Sequence, residues 1–179
     1  MPCVSYCDEP LSPHVQVECD DFKLGGISGA VLFACGSEPT DPTSGVEVQG
    51  LIDAGNAVLI QGTRIGIPAG SPVTVTSAVA CGTDDVVNYD RTATLFDANL
   101  NATNDAFYNS ANRRKFGAAI FYNCDAGDAF YINPPSGVRA QVTPVVTDQN
   151  TEYRRYEGLF SWRDLNNPSL IVAPSGVFG

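Results

Sequence analysis

Six cysteines, a single histidine and two Asp-Asp pairs are the side chains here whose types could do chemistry. Cys3, Cys7, Cys19 and Cys35 fall within the first 35 residues, with His14 among them. Cys3, Cys7, His14 and Cys19 are donors of the kind zinc takes, but their spacings match no standard finger, so no metal is assigned. Cys19 and Cys35 also sit in apolar strand patterns, where cysteine serves as a small hydrophobe. Thiol, disulfide and metal ligand all stay open for the four N-terminal cysteines, while Cys81 and Cys124 read as core residues.

Nucleophilic catalysis of the serine kind needs a base beside the nucleophile, and the only histidine, His14, lies at the edge of a proline-flanked segment. No Gly-x-Ser-x-Gly elbow and no Gly-x-x-x-x-Gly-Lys phosphate cradle occurs. The acid pairs Asp20-Asp21 and Asp84-Asp85 are sequence neighbours in turns, which does not set two carboxylates across a cleft. Asp125-Ala-Gly-Asp128 offers oxygens but has the look of a tight hairpin turn and lacks an EF-hand's twelve-residue loop. Basic and aromatic residues interleave from Tyr153 to Arg163, as on single-strand nucleic-acid platforms. Strand alternation sends Arg154 and Arg155 to opposite faces, so ion pairs with the acidic first third of the chain are the better use of them. No enzyme and no cofactor is expected.

The elements that would carry these residues are mostly short strands. Val15, Val17 and Cys19 alternate with polar neighbours, and apolar runs follow at 30–35 and 57–60. Ser44 and Glu47 have capping-box spacing and predict a short helix that ends near Gly55-Asn56. The glycine-rich stretch 62–70 predicts an extended loop or hairpin arm that either docks Arg64, Ile65 and Ile67 on a neighbouring subunit or folds back over its own core. Strands are expected at 73–81 and 86–97, where Arg91 breaks an apolar face and needs a carboxylate or a subunit boundary. A helix is expected over 104–115, capped by Thr103 or Asn104 and closed by Arg113, Arg114 and Lys115. Four more strands are readable at 118–124, 129–133, 138–146 and 151–163. Together they predict a mainly β chain, an antiparallel β-sandwich or small barrel with one inserted helix. An arm at 1–13 and another at 168–179 would flank a single domain at 14–167, with Val177 and Phe178 too apolar to stay in water.

The formal charge is -10, and nine acids face one base, Lys23, in residues 1–60. That balance argues against gripping nucleic acid, since phosphate binding needs clustered Lys and Arg. No run approaches the ~20 apolar residues of a membrane helix. The start, Met1-Pro-Cys-Val-Ser, has neither the basic nor the apolar region of a secretory signal, so synthesis and folding in a cytoplasm are expected unless a leader upstream of it was removed.

The order of elements resembles that of the tail tube proteins of tailed bacteriophages. The likeness rests on Tyr89-Asp-Arg-Thr-Ala-Thr-Leu-Phe-Asp97, on the helix entered through Asn104-Asp-Ala-Phe-Tyr108, and on the late strand 153–163 ending in Ser161-Trp162-Arg163. It spans roughly residues 28–165, and the cysteine-rich start departs from it. The resemblance implies a virion structural protein, assembled in the host cytoplasm, whose copies form rings, usually six-fold. The rings would stack with one another and with other virion proteins into a conduit that DNA crosses without specific binding. Arg64, Ile65, Ile67, Arg91, Arg154, Arg155, Val177 and Phe178 are the candidate contacts between copies. A trimeric capsid decoration or head-fibre component is an alternative. Another is a carbohydrate-binding β-sandwich module with Tyr122, Tyr131 or Trp162 as its aromatic platform.

Overall fold

The computed structural model describes residues 26–76, 84–123, 127–146 and 154–178. The expected arm at 1–13 and first strand at 15–19 lie outside them, as do Cys3, Cys7, His14, Cys19, Cys81 and Cys124.

Period-two patterning produces nine antiparallel strands. They are β1 (Ile27–Ala34), β2 (Ala57–Gly66), β3 (Ser71–Thr76), β4 (Asp84–Asp97), β5 (Lys115–Tyr122), β6 (Asp128–Ile132), β7 (Val138–Val145), β8 (Arg155–Asp164) and β9 (Ser169–Val172). Two helices interrupt them, α1 (Gly45–Asp53) and α2 (Ala102–Ala111). Because β1 pairs with both β2 and β5, the path β1-β2-β4-β8-β7-β5 returns to its start. Of the two architectures expected, the fold is thus the small barrel, and closure removes the free edges of those six strands. β3 extends β4 on one side, and β6 with β9 continues from β5 on the other.

Alternation sorts the side chains into two cores. Leu32, Leu95, Phe121, Tyr156, Phe160 and Trp162 fill the barrel together with Tyr108 and Ala111 of α2. Val31, Phe33, Ile120 and Tyr122 point out of it and are covered by Val48 of α1 and by Val177. β5 is therefore buried on both faces from Phe116 to Tyr122, which is why it reads as a continuous apolar run.

Four local expectations need correction. The 62–70 stretch is not an arm: β2 runs on to Gly66, with Gly62 (φ 68) beside a register shift between Ile27 and Gly29. A bulge glycine in the left-handed region bends a strand without ending it. The capping box forms only half. Ser44 Oγ accepts the Glu47 N–H at 3.3 Å, but the Glu47 carboxylate accepts N–H groups of Thr40 and Asp41 at 2.6 and 3.0 Å. The second helix starts earlier and stops sooner, because Asn101 Oδ1 accepts the Asn104 N–H at 2.9 Å, and Lys115 already belongs to β5. Lastly, the 168–179 segment docks, as its apolar residues require, but within the chain and as part of the sheet rather than as a separate arm. β9 pairs with β6, and Phe178 stacks on Tyr122 with ring centroids 3.5 Å apart. A Cβ on Gly45 would overlap the Ser175 carbonyl oxygen, so the tail seats against the start of α1.

Candidate interaction surface

One side of the barrel is left uncovered by any helix among the described residues: the outward face of β4, β8, β7 and the end of β2 around Arg64, the start of β2 being covered by α1. Register sets its rows. Arg64, Phe96, Glu157 and Thr143 lie side by side across the four strands, and Thr94, Leu159 and Gln141 form the next row. Thr92, Ser161, Arg139 and Lys115 make a third, which reaches β5. Neighbouring strands stand about 4.8 Å apart, so each row is a continuous contact surface.

A groove of about 800 Å³ follows the first two rows, lined by Arg64, Thr94, Phe96, Thr143, Glu157 and Leu159 among others. A second hollow of about 440 Å³ lies over the third row, between Lys115, Arg139, Ser161, Arg163 and Asp90. Arg155 lies over the Phe96 ring with its guanidinium carbon 5.2 Å from the centroid, and its Nε donates to Glu157 Oε1. Arg163 binds both oxygens of Asp90 at 2.7 and 3.2 Å. That forked contact holds the Asp90 carboxyl below the usual carboxylate range and raises Arg163 further.

The predicted contact residues separate into two groups. Arg64 lies on the open face and Arg154 is exposed just before β8. Arg155 pairs with Glu157 of its own strand, and most of the acidic first third expected to meet it lies outside the described residues. Ile65 and Val177 are covered within the chain, at 6% and 5% exposure, and Ile67 packs against the barrel core. Their apolar surface needs no neighbour, because the continued β2 and the seated tail bury it.

Arg91 is also turned inward, 8% exposed. Its Nη2 donates to Asn167 Oδ1 at 2.9 Å, its guanidinium lies 5.0 Å from the Tyr89 ring centroid, and its Nε has no partner. The expected carboxylate is replaced by an amide and a ring face. Nothing in the 86–97 pattern signals Asn167, which is 76 residues away.

Sequence reasoning also missed a polar anchor in the core. Asp97, 2% exposed, accepts the Tyr108 hydroxyl at 2.8 Å and the Asn99 N–H at 2.8 Å. Burial first, then the Asp97 carboxylate, pushes the Tyr108 phenol well above its ordinary value. The signal was present: an acid ends a strand, and a tyrosine lies eleven residues on along the following helix.

The chemistry weighed for the cysteines finds little here. Among the described residues no three His, Cys, Asp or Glu side chains gather as metal donors. Cys35 lies just after β1 as an exposed free thiol, not as the small buried hydrophobe its apolar run suggested. Tyr122 and Trp162, two of the three proposed platform rings, are 1% and 5% exposed. No helix of the described residues is long and apolar enough to cross a membrane. Comparison with protein-family models, curated proteins and solved structures finds no match.

Proposed function

We propose that the protein is a virion structural subunit of the tail-tube kind, whose copies assemble into rings and stack into a conduit for DNA. The observation that carries this reading is the open face of β4, β8, β7 and the end of β2. Half-exposed Phe96 and Leu159 lie there beside Arg64, on a rigid barrel whose other broad side is covered by α1 and the tail. Aromatic, aliphatic and arginine side chains on a flat, hydrogen-bonded sheet are the composition of protein contact surfaces. The described residues offer no competing cluster of nucleophile, base and oxyanion donors.

Six-fold rings, other virion proteins as partners and residence in the virion follow from the likeness in element order. An overall charge of -10 agrees with a conduit wall that repels phosphate and lets DNA pass. Light scattering on the purified chain at rising concentration, with negative-stain imaging, tests the proposal. Rings or tubes are the expected outcome. Trimers would favour the decoration reading, and a monomer retained on a glycan array the binding-module reading. Either result, or a plain monomer at high concentration, overturns the conduit.

A further inference from the structure

The strand path gives the barrel two chemically opposite sides. In the ring β1-β2-β4-β8-β7-β5, β8 faces β1 across the barrel and β4 faces β5. The open face, centred on β4 and β8, therefore lies across the molecule from the α1 layer that covers β1, β5 and the start of β2.

The α1 layer is acidic. Glu38, Asp41, Glu47 and Asp53 lie in and before the helix, and no Lys or Arg occurs from residue 24 to 63. Their carboxylates are held in place: Glu38 accepts the Gly36 N–H at 3.0 Å, Asp41 the Thr43 N–H at 2.9 Å, and Asp53 the Gln49 amide at 2.8 Å. Out of this layer stands Val46, 87% exposed, on the side of α1 turned away from Val48 and the core.

The open face has the reverse charge, against the balance of the whole chain. Its acids, Asp90 and Glu157, are engaged by Arg163 and Arg155. Arg64, Lys115 and Arg139 have no ion-pair partner among the described residues, and Lys115 and Arg139 lie directly opposite each other on β5 and β7. Like charges in that register destabilise a sheet unless an anion comes between them.

We propose that the α1 layer of one copy seats on the open face of the next. Its carboxylates meet Arg64, Lys115 and Arg139, and Val46 enters the groove beside Phe96 and Leu159. The proposal rests on the self-assembly reading above and names the two surfaces it would use. The surfaces differ, so the contact is heterologous, the kind that makes a ring where the rotation between copies closes. Each added copy presents a fresh open face until the ring is complete. Salt weakens it, since exposed charges are screened beyond about 8 Å at physiological ionic strength.

Two exposed-site variants test this, Val46→Asp and the double change Arg64→Glu with Arg139→Glu. Each spoils one surface and leaves the other intact. Wild type is expected to assemble and each variant alone to stay monomeric by light scattering. An equimolar mixture of the variants is expected to give particles of twice the chain mass and nothing larger. The intact α1 layer of the double variant can seat on the intact open face of Val46→Asp, and growth stops there. Either variant assembling alone as wild type does, or a mixture that stays monomeric, overturns the pairing of surfaces and leaves self-assembly standing. A wild type that never assembles overturns self-assembly and this pairing with it.

Discussion

Replacing Tyr108 with phenylalanine probes the one buried carboxylate among the described residues. The phenylalanine ring keeps the contacts with Tyr156 and Phe107, at 4.7 and 5.1 Å between centroids, so the change is confined to one hydroxyl. That hydroxyl donates to Asp97 at 2.8 Å, and a hydrogen bond to a buried charge contributes about 2 kcal/mol. Tyr108→Phe should therefore lose about 2 kcal/mol at pH 7. The loss should shrink in alkali. Tyrosine ionises near pH 10 in the unfolded chain, while Tyr108 holds its proton in the fold because its phenolate would be desolvated and beside Asp97. A raised folded value means stability is fully present below pH 10 and falls as pH rises above it, by about 1.4 kcal/mol at pH 11. Phenylalanine has no proton to lose, so the deficit of the variant should narrow to roughly 0.6 kcal/mol at pH 11. Urea titrations at pH 7, 9, 10 and 11 can be read from Trp162, the single tryptophan, which is 5% exposed. A deficit that stays constant from pH 7 to pH 11 would refute the coupling of the two groups.

Two further substitutions address the frame of the barrel. β7 pairs with β5 over only two residues, and beyond them the Asn112 amide takes the place of a strand, bonding the Val142 C=O at 2.7 Å and its N–H at 2.8 Å. Asn112→Ala should lower stability by about 2–4 kcal/mol in urea, because two backbone groups lose their partner. Arg91→Met should change stability by no more than about 1 kcal/mol, since one amide bond and a ring face weakly offset the burial of a charge. A loss of about 3 kcal/mol or more would reveal a carboxylate partner for Arg91.

Much of the fold was legible because strand pairing has a short period. The alternation in 86–97 and 151–163 placed Tyr156, Phe160 and Trp162 on one side and Arg155, Glu157 and Leu159 on the other, as β8 has them. The Ser44 and Glu47 spacing located α1, and Ser44 does cap it. The errors have local causes. Glycine at 62, 66 and 70 predicts a loop or hairpin arm, but Gly62 is a bulge that keeps Thr63 and Ile65 on the inward face. The apolar tail shows in its composition that it must dock, and only the fold shows that its covering is β6, Tyr122 and the start of α1.

The interaction surface was legible only in part. Arg64 and Arg155 could be named from their types and positions, but Lys115 and Arg139 become neighbours only through the β5–β7 register. Phe96 and Leu159 join them only through β4 and β8, which lie some 60 residues apart.

By itself the sequence settled the β class, the two helices near their observed places, and which residues of each strand share a face. Those are consequences of period, caps and turns within a dozen residues. Only the tertiary structure decided that the sheet closes, because β1 must meet β5 some 90 residues later. The same closure set an acidic layer and a basic face on opposite sides of one barrel. Charge and alternation say which side chains leave a strand together, but long-range pairing decides where that face points.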